Sequence, residues 1–313
     1  MPTLAPETLL MRPRMLVCDL DGTLLNGQGV VTEVTVAALR QAVDEGVEVV
    51  FATGRRHNFA CKVLEPMRLP EGTMLISSNG AIRCTLAGDR KQRLSMPVPT
   101  ALLLCKQLGN FRESLIFTFE RNGPGALALE DREALYRRIP RWVESNMHEI
   151  ACFVPLERAL DAGQEPVQAM ICGALREMEE AMRVLDDPAP EAARLRRGLS
   201  IHRTEYAARD LAIVDLMPHG CSKGNAVAAL AAERGIDAAE VACIGDNMND
   251  ADMLAFAGQA VVMKNAPAEL LAMASENGWA LTGTNDEDGA AQAIIGMLEA
   301  TVGNFERISA AAD

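Results

Sequence analysis

Short, uninterrupted apolar runs alternate along the chain with longer stretches whose apolar positions recur every three or four residues, a pattern that predicts buried strands followed by helices. Met15–Leu20 is the first such run, and Asp21-Gly22-Thr23 breaks it, so a strand is expected to end in a loop there. Thr32 can cap a helix that carries Val36, Leu39 and Val43 at helical spacing, and Gly46 supplies a left-handed stop. A second strand is expected over Glu48–Ala52, then a helical stretch from about Arg56 to Met67 and a strand over Thr73–Ser77. Strand, helix and strand joined by short links make a right-handed parallel crossover unit. The pattern returns as helix Lys223–Arg234 stopped by Gly235, strand Val241–Gly245, a helix from about Asn249 to Ala257, strand Ala260–Met263 and a helix within Asp288–Glu299.

Between these halves the character changes. Strands are expected over Ser114–Glu120, Gly125–Glu130, Val167–Cys172, Leu199–Arg203 and Leu211–Asp215, interleaved with helices over Thr100–Leu108 and Arg176–Leu185. The fold class is therefore read as α/β: a doubly wound, Rossmann-like parallel-sheet core of residues 1–84 plus 217–313, with an inserted α+β domain of residues 85–216. The Pro/Ala/Glu-rich stretch Asp187–Ala192 is expected to be a surface loop, and Met1–Pro13 a loose tail.

Composition narrows the partners. At 313 residues the chain has length for about two domains. Lys plus Arg total 30 against 43 Asp plus Glu, a net charge of −13 without a basic block, which argues against nucleic acid. The eight cysteines occur singly, without a C-x-x-C pair, and read as buried reduced thiols rather than a zinc site. No apolar stretch approaches the ~20 residues that span a bilayer, and the expected location is the cytoplasm with no membrane partner. His57, His148, His202 and His219 have no metal-binding spacing, and Trp142 and Trp279 are read as filling core or interdomain gaps.

Four segments carry chemistry. Asp19-Leu20-Asp21-Gly22-Thr23 sets two carboxylates two residues apart at a strand end, where alternation would point both to one side. Such a pair can hold a hard cation, attack phosphorus and move protons, or form no more than an acidic turn. A calcium loop fits less well, since the glutamate closing such a loop is missing. Thr53-Gly54-Arg55 opens a helix after the second strand, where a hydroxyl and free N–H groups can cradle an anion, or simply cap the helix with Arg55 and Arg56 solvated. Ser222-Lys223-Gly224 opens another helix, with Ser222 as cap and Lys223 as a point charge. Gly245-Asp246-Asn247-Met248-Asn249-Asp250 ends a further apolar strand in carboxylates and amides. Together they supply a nucleophile, a cation site, an anion cradle and a neutralising cation, in the order an open α/β sheet would deliver them.

These motifs, with Ser77-Ser78-Asn79-Gly80-Ala81 and Met263-Lys264-Asn265-Ala266, resemble those of the haloacid dehalogenase superfamily, in particular its Cof-type phosphatases with a large inserted cap. The resemblance covers nearly the whole chain. It implies that Asp19 is a nucleophile forming an aspartyl phosphate and that Asp21 is general acid and then general base. It further implies Mg2+ held by Asp19, the Asp21 carbonyl and Asp246, with Asp250 joining or tuning the site. Thr53, Gly54, Lys223, Asn249 and the Leu20 backbone would hold the phosphate, with Arg55 and Asn79 as substrate contacts. The implied substrate is a small phosphorylated metabolite, a sugar phosphate first, with flavin or pyridoxal phosphates open, and the implied assembly a monomer or small homo-oligomer. The competing readings are a sugar phosphomutase and a non-catalytic phospholigand-binding module.

Overall fold

The computed structural model describes residues 12–299, so residues 1–11 of the expected tail lie outside the described residues. In chain order the strands are β1 (Met15–Cys18), β2 (Glu48–Ala52), β3 (Met74–Ser77), β4 (Ile82–Thr85), β5 (Arg90–Arg93), β6 (Ile116–Thr118), β7 (Leu127–Leu129), β8 (Ile150–Cys152), β9 (Gln168–Gly173), β10 (Leu199–Tyr206), β11 (Leu211–Pro218), β12 (Val241–Gly245), β13 (Gln259–Met263) and β14 (Ala280–Thr282). The described chain divides into two compact units, one of residues 12–53, 58–75 and 227–299, the other of residues 54–57 and 76–226.

The first unit is a parallel sheet in the order β14-β13-β12-β1-β2, continued by the start of β3. The chain enters at the centre of the sheet and winds outward on both sides, the doubly wound arrangement. β1, β12 and β13 are buried along their whole length and almost wholly apolar, as strands of a parallel sheet covered on both faces are. Thr32 caps the helix Glu33–Asp44 as expected, its hydroxyl accepting from Thr35 N at 3.2 Å, and Gly46 (φ +84°) ends it. The buried stripe of that helix is Thr35, Ala38, Leu39 and Ala42, so Val36 and Val43 lie at its margin, half-buried.

The second unit carries a six-stranded sheet, β10-β11-β9-β6-β7-β8, antiparallel except for β7 with β8. One face packs Phe117, Ile171 and Val214 against Leu104, Met178 and Leu185 of the helices Val98–Gln107 and Leu175–Leu185. The other face packs Ile116, Met170 and Cys172 against Leu135 and Val143 of the helices Arg132–Arg138 and Pro140–Asn146.

Three expectations are corrected. Pro190–Ala192 is not loop but the first turn of the helix Pro190–Arg197, where proline loses no hydrogen bond and Ala192 is buried. Cys152 is exposed and Cys61 half-buried, while the other six thiols are buried. Arg56 is not solvated: it forms an ion pair with Glu149, and its Nη2 donates to the Arg121 carbonyl at 2.9 Å.

Candidate active site

In the first unit the ends of three neighbouring parallel strands carry the polar residues. Cys18 lies level with Phe51 on one side and Ile244 on the other, and Asp19 N donates to the Ile244 carbonyl at 3.0 Å. Asp19, Thr53 and Asp246 therefore leave β1, β2 and β12 at adjacent carboxyl ends, the usual ligand-binding edge of an open α/β sheet. All three are buried.

Carboxylate oxygens of Asp19, Asp246 and Asp250 lie within 4.8 Å of one another. The loop that sets them is tight. A Cβ on Gly22 (φ +82°) would collide with the Asp246 carboxylate, and one on Gly245 would stand 2.7 Å from Asp250 Cβ. Asp250 Oδ2 accepts from the backbone N–H groups of Asp246 (3.1 Å) and Asn247 (3.0 Å), so its carboxylate shapes the loop that carries Asp246. The donor set is all oxygen, which fits a hard divalent cation. Asp21 is exposed and its carboxylate is not one of the trio, while Leu20 between the two acids is fully buried. Burial, with the Asp19 charge as the lesser cause, holds the Cys18 thiol well above its ordinary range, and burial does the same for Cys243. Beneath the acids these thiols stay protonated.

The second unit holds Gly54, Arg55, Asn79 and Lys223. A Cβ on Gly54 would meet Asn79 Oδ1 at 3.2 Å, and Ser78 N donates to the Arg55 carbonyl at 2.8 Å. Ser78 and Asn79 both adopt φ +49° and Gly80 φ +100°, a left-handed run of the kind that clusters at ligand clamps. A Cβ on Gly80 would strike the Ser222 carbonyl, and Cys221 Sγ donates to the Asn79 carbonyl at 3.5 Å. Ser222 acts as the expected cap, its hydroxyl accepting from Asn225 N at 3.1 Å, and Lys223 is buried at the start of the helix Lys223–Arg234. Asn249 sits in the first unit, partly buried in the turn Met248–Asp250.

Several contributors carried no role in the sequence reading. Thr23 Oγ1 donates to Asp246 Oδ1 at 3.1 Å, and Asn265 Nδ2 donates to the Gly22 carbonyl at 2.8 Å. Asn285 N in turn donates to Asn265 Oδ1 (3.0 Å), and Gly27 N to Asp286 Oδ1 (2.7 Å). The polar run Thr284–Asp288 was the available signal, since five consecutive polar residues after a strand need a reason to be there.

A family model described as haloacid dehalogenase-like hydrolase matches residues 16–294. "Phosphatase YwpJ" of Bacillus subtilis is 30% identical over 307 residues, covering 91% of this chain and 100% of the relative. "HMP-PP phosphatase" of Yersinia pseudotuberculosis is 24% identical over 267 residues, covering 82% and 86% respectively. Among solved structures, the "HAD Subclass IIB Sugar Phosphatase BT4131" shares the fold with a TM-score of 0.70 at 21% identity, over 90% of this chain and 99% of its own.

Proposed function

The chain belongs to the haloacid dehalogenase-like hydrolases, enzymes here acting on phosphate esters, and from that premise we propose a magnesium-dependent phosphatase that hydrolyses small phosphorylated metabolites, sugar phosphates first, through an aspartyl phosphate. The convergence of the Asp19, Asp246 and Asp250 carboxylates at the carboxyl edge of the sheet carries the reading. The ion would be held by Asp19, Asp246 and the Asp21 carbonyl, with Asp250 joining or bracing it, and when bound it offsets the charge of the phosphate so that an anionic nucleophile can approach.

Asp19 supplies the nucleophile: a carboxylate oxygen bonds to phosphorus as the bond from phosphorus to the ester oxygen breaks. Asp21 gives its proton to that departing oxygen, then takes one from the water that cleaves the aspartyl phosphate and releases inorganic phosphate. Its exposure, next to a wholly buried Leu20, suits a group that must exchange protons with solvent. Thr53, Gly54, Lys223, Asn249 and the Leu20 backbone hold the phosphate oxygens, and Arg55 and Asn79 touch the substrate. Positioned donors and charge matter most for the loose transition state of this reaction. Residues 85–216 act as the cap that selects the leaving group.

The test is release of inorganic phosphate from p-nitrophenyl phosphate with magnesium, lost on chelation. A sugar monophosphate should yield stoichiometric phosphate; isomer formation without phosphate release would overturn hydrolysis in favour of a mutase.

A further inference from the structure

Residues 54–57 follow β2 and Thr53 in the chain yet belong to the second unit, and they include Gly54 and Arg55 of the proposed phosphate and substrate contacts. Two sets of contacts hold this short segment in that unit. One is at its backbone, where Ser78 N donates to the Arg55 carbonyl at 2.8 Å and the missing side chain of Gly54 leaves room for Asn79 Oδ1. The other is at Arg56, the next residue. Its guanidinium pairs with the Glu149 carboxylate and donates through Nη2 to the Arg121 carbonyl at 2.9 Å. Glu149 is only 5% exposed, so this is a buried ion pair and not a solvated one.

Both partners of Arg56 are themselves fixed. The Glu149 carbonyl accepts from Gly125 N (2.9 Å) and Leu127 N (3.1 Å), and Glu149 N donates to the Asn146 carbonyl at 2.9 Å. Arg121 folds back on its own loop: Nε and Nη2 donate to the Gly125 carbonyl at 3.0 and 2.6 Å, Nη1 donates to Gln164 Oε1 at 2.9 Å, and the guanidinium lies 5.2 Å from the centre of the Phe119 ring. A Cβ on Gly125 (φ +85°) would strike Arg121 Nη2. A buried carboxylate is costly unless it is paired and hydrogen-bonded. The fork of a guanidinium meets two acceptors at once, which the point charge of a lysine does less well. Two well-packed apolar side chains would serve stability as well as such a pair does. Its place next to Arg55 gives it a use, because the backbone bearing Gly54 and Arg55 cannot shift without straining a buried ion pair.

We propose that Glu149, acting through Arg56, is a positioning residue of the phosphate cradle, fixing the Gly54–Arg55 backbone where it meets the ester. This rests on the phosphatase reading above. Steady-state kinetics with p-nitrophenyl phosphate, and competitive inhibition by inorganic phosphate, read the effect. Glu149→Leu and Arg56→Met should each raise KM and the phosphate inhibition constant by about ten-fold, with a smaller change in kcat. The double variant Arg56→Met/Glu149→Leu leaves no lone buried charge and serves if a single variant fails to fold. It should show the same ten-fold rise and not the product of two, because the pair acts as a unit. Wild-type constants in the double variant would assign the single effects to a stranded charge and overturn the inference, as would effects that multiply. A wild-type protein without metal-dependent turnover of p-nitrophenyl phosphate overturns the phosphatase reading and this inference with it.

Discussion

The two units gather carboxylates in different settings. In the second, Arg112 Nη1 binds Glu130 Oε1 at 2.8 Å and Glu157 Oε2 at 2.6 Å, and Glu130 Oε1 also accepts from Leu156 N at 2.7 Å. The Arg112 guanidinium holds Glu157 below the usual carboxylate range, and Glu157 in return raises Arg112. The two acids there share one guanidinium. In the first unit three buried aspartates bring oxygens within 4.8 Å of one another. Bare repulsion between two ionised groups at that separation is roughly 3 kcal/mol per pair at an effective dielectric near 20. The glutamates are held by an arginine; in the proposed reaction the aspartates would face a cation and an incoming ester.

The sharpest way to break this contrast is at the nucleophile. Asp19→Asn should keep the fold by circular dichroism and lose turnover of p-nitrophenyl phosphate with magnesium by about a thousand-fold or more; undiminished turnover would remove Asp19 from the mechanism. The next effect is on stability. Magnesium at about a hundred times its dissociation constant should stabilise the protein by about 2.7 kcal/mol, read as a rise in Tm that chelation reverses and Asp246→Ala greatly reduces. Arg112→Met should destabilise by about 3 kcal/mol in urea titrations, because two carboxylates lose their shared partner, yet leave the magnesium-dependent rise in Tm intact. Loss of that rise in Arg112→Met would mean that the two clusters are not independent.

The smallest effects are in the pH dependence of stability, and they have opposite signs. Glu157 is lowered from its ordinary 4.5, so its contribution is present above that value and fades as pH falls. Asp215 is raised by burial from 3.8 to about 6, so the folded state binds the extra proton between those values and stability declines as pH rises through them. Asp215→Asn should therefore gain stability relative to wild type between about pH 4 and 7, measured by urea midpoints, and a constant difference across that range would deny the raised carboxyl.

Much of the core was legible because each element had a complete local reason. The bounds of β2, β12 and the helix Lys223–Arg234 coincide with the apolar runs and their glycine or polar stops, and the caps Thr32 and Ser222 act as their types suggest. The strands β4 and β8 and the helices Arg132–Arg138 and Pro140–Asn146 were not legible, being too short for a period to register. Long-range pairing was equally hidden: nothing near Arg56 announces Glu149, and nothing in Asn265 announces the Gly22 carbonyl. At the candidate site the acids could be read from the motifs. That Asp250 would brace the Asp246 loop through two backbone amides could not, since it depends on the turn closing.

The collision that any side chain at Gly22 would make with Asp246 has a bearing on protein engineering. Chimaeras that graft the opening segment of one relative onto the body of another splice together surfaces that were moulded against each other. Unless residues 22 and 246 travel as a matched pair, a single stray methyl group acts as a wedge, and the hybrid can retain its sheet while its acids are prised apart.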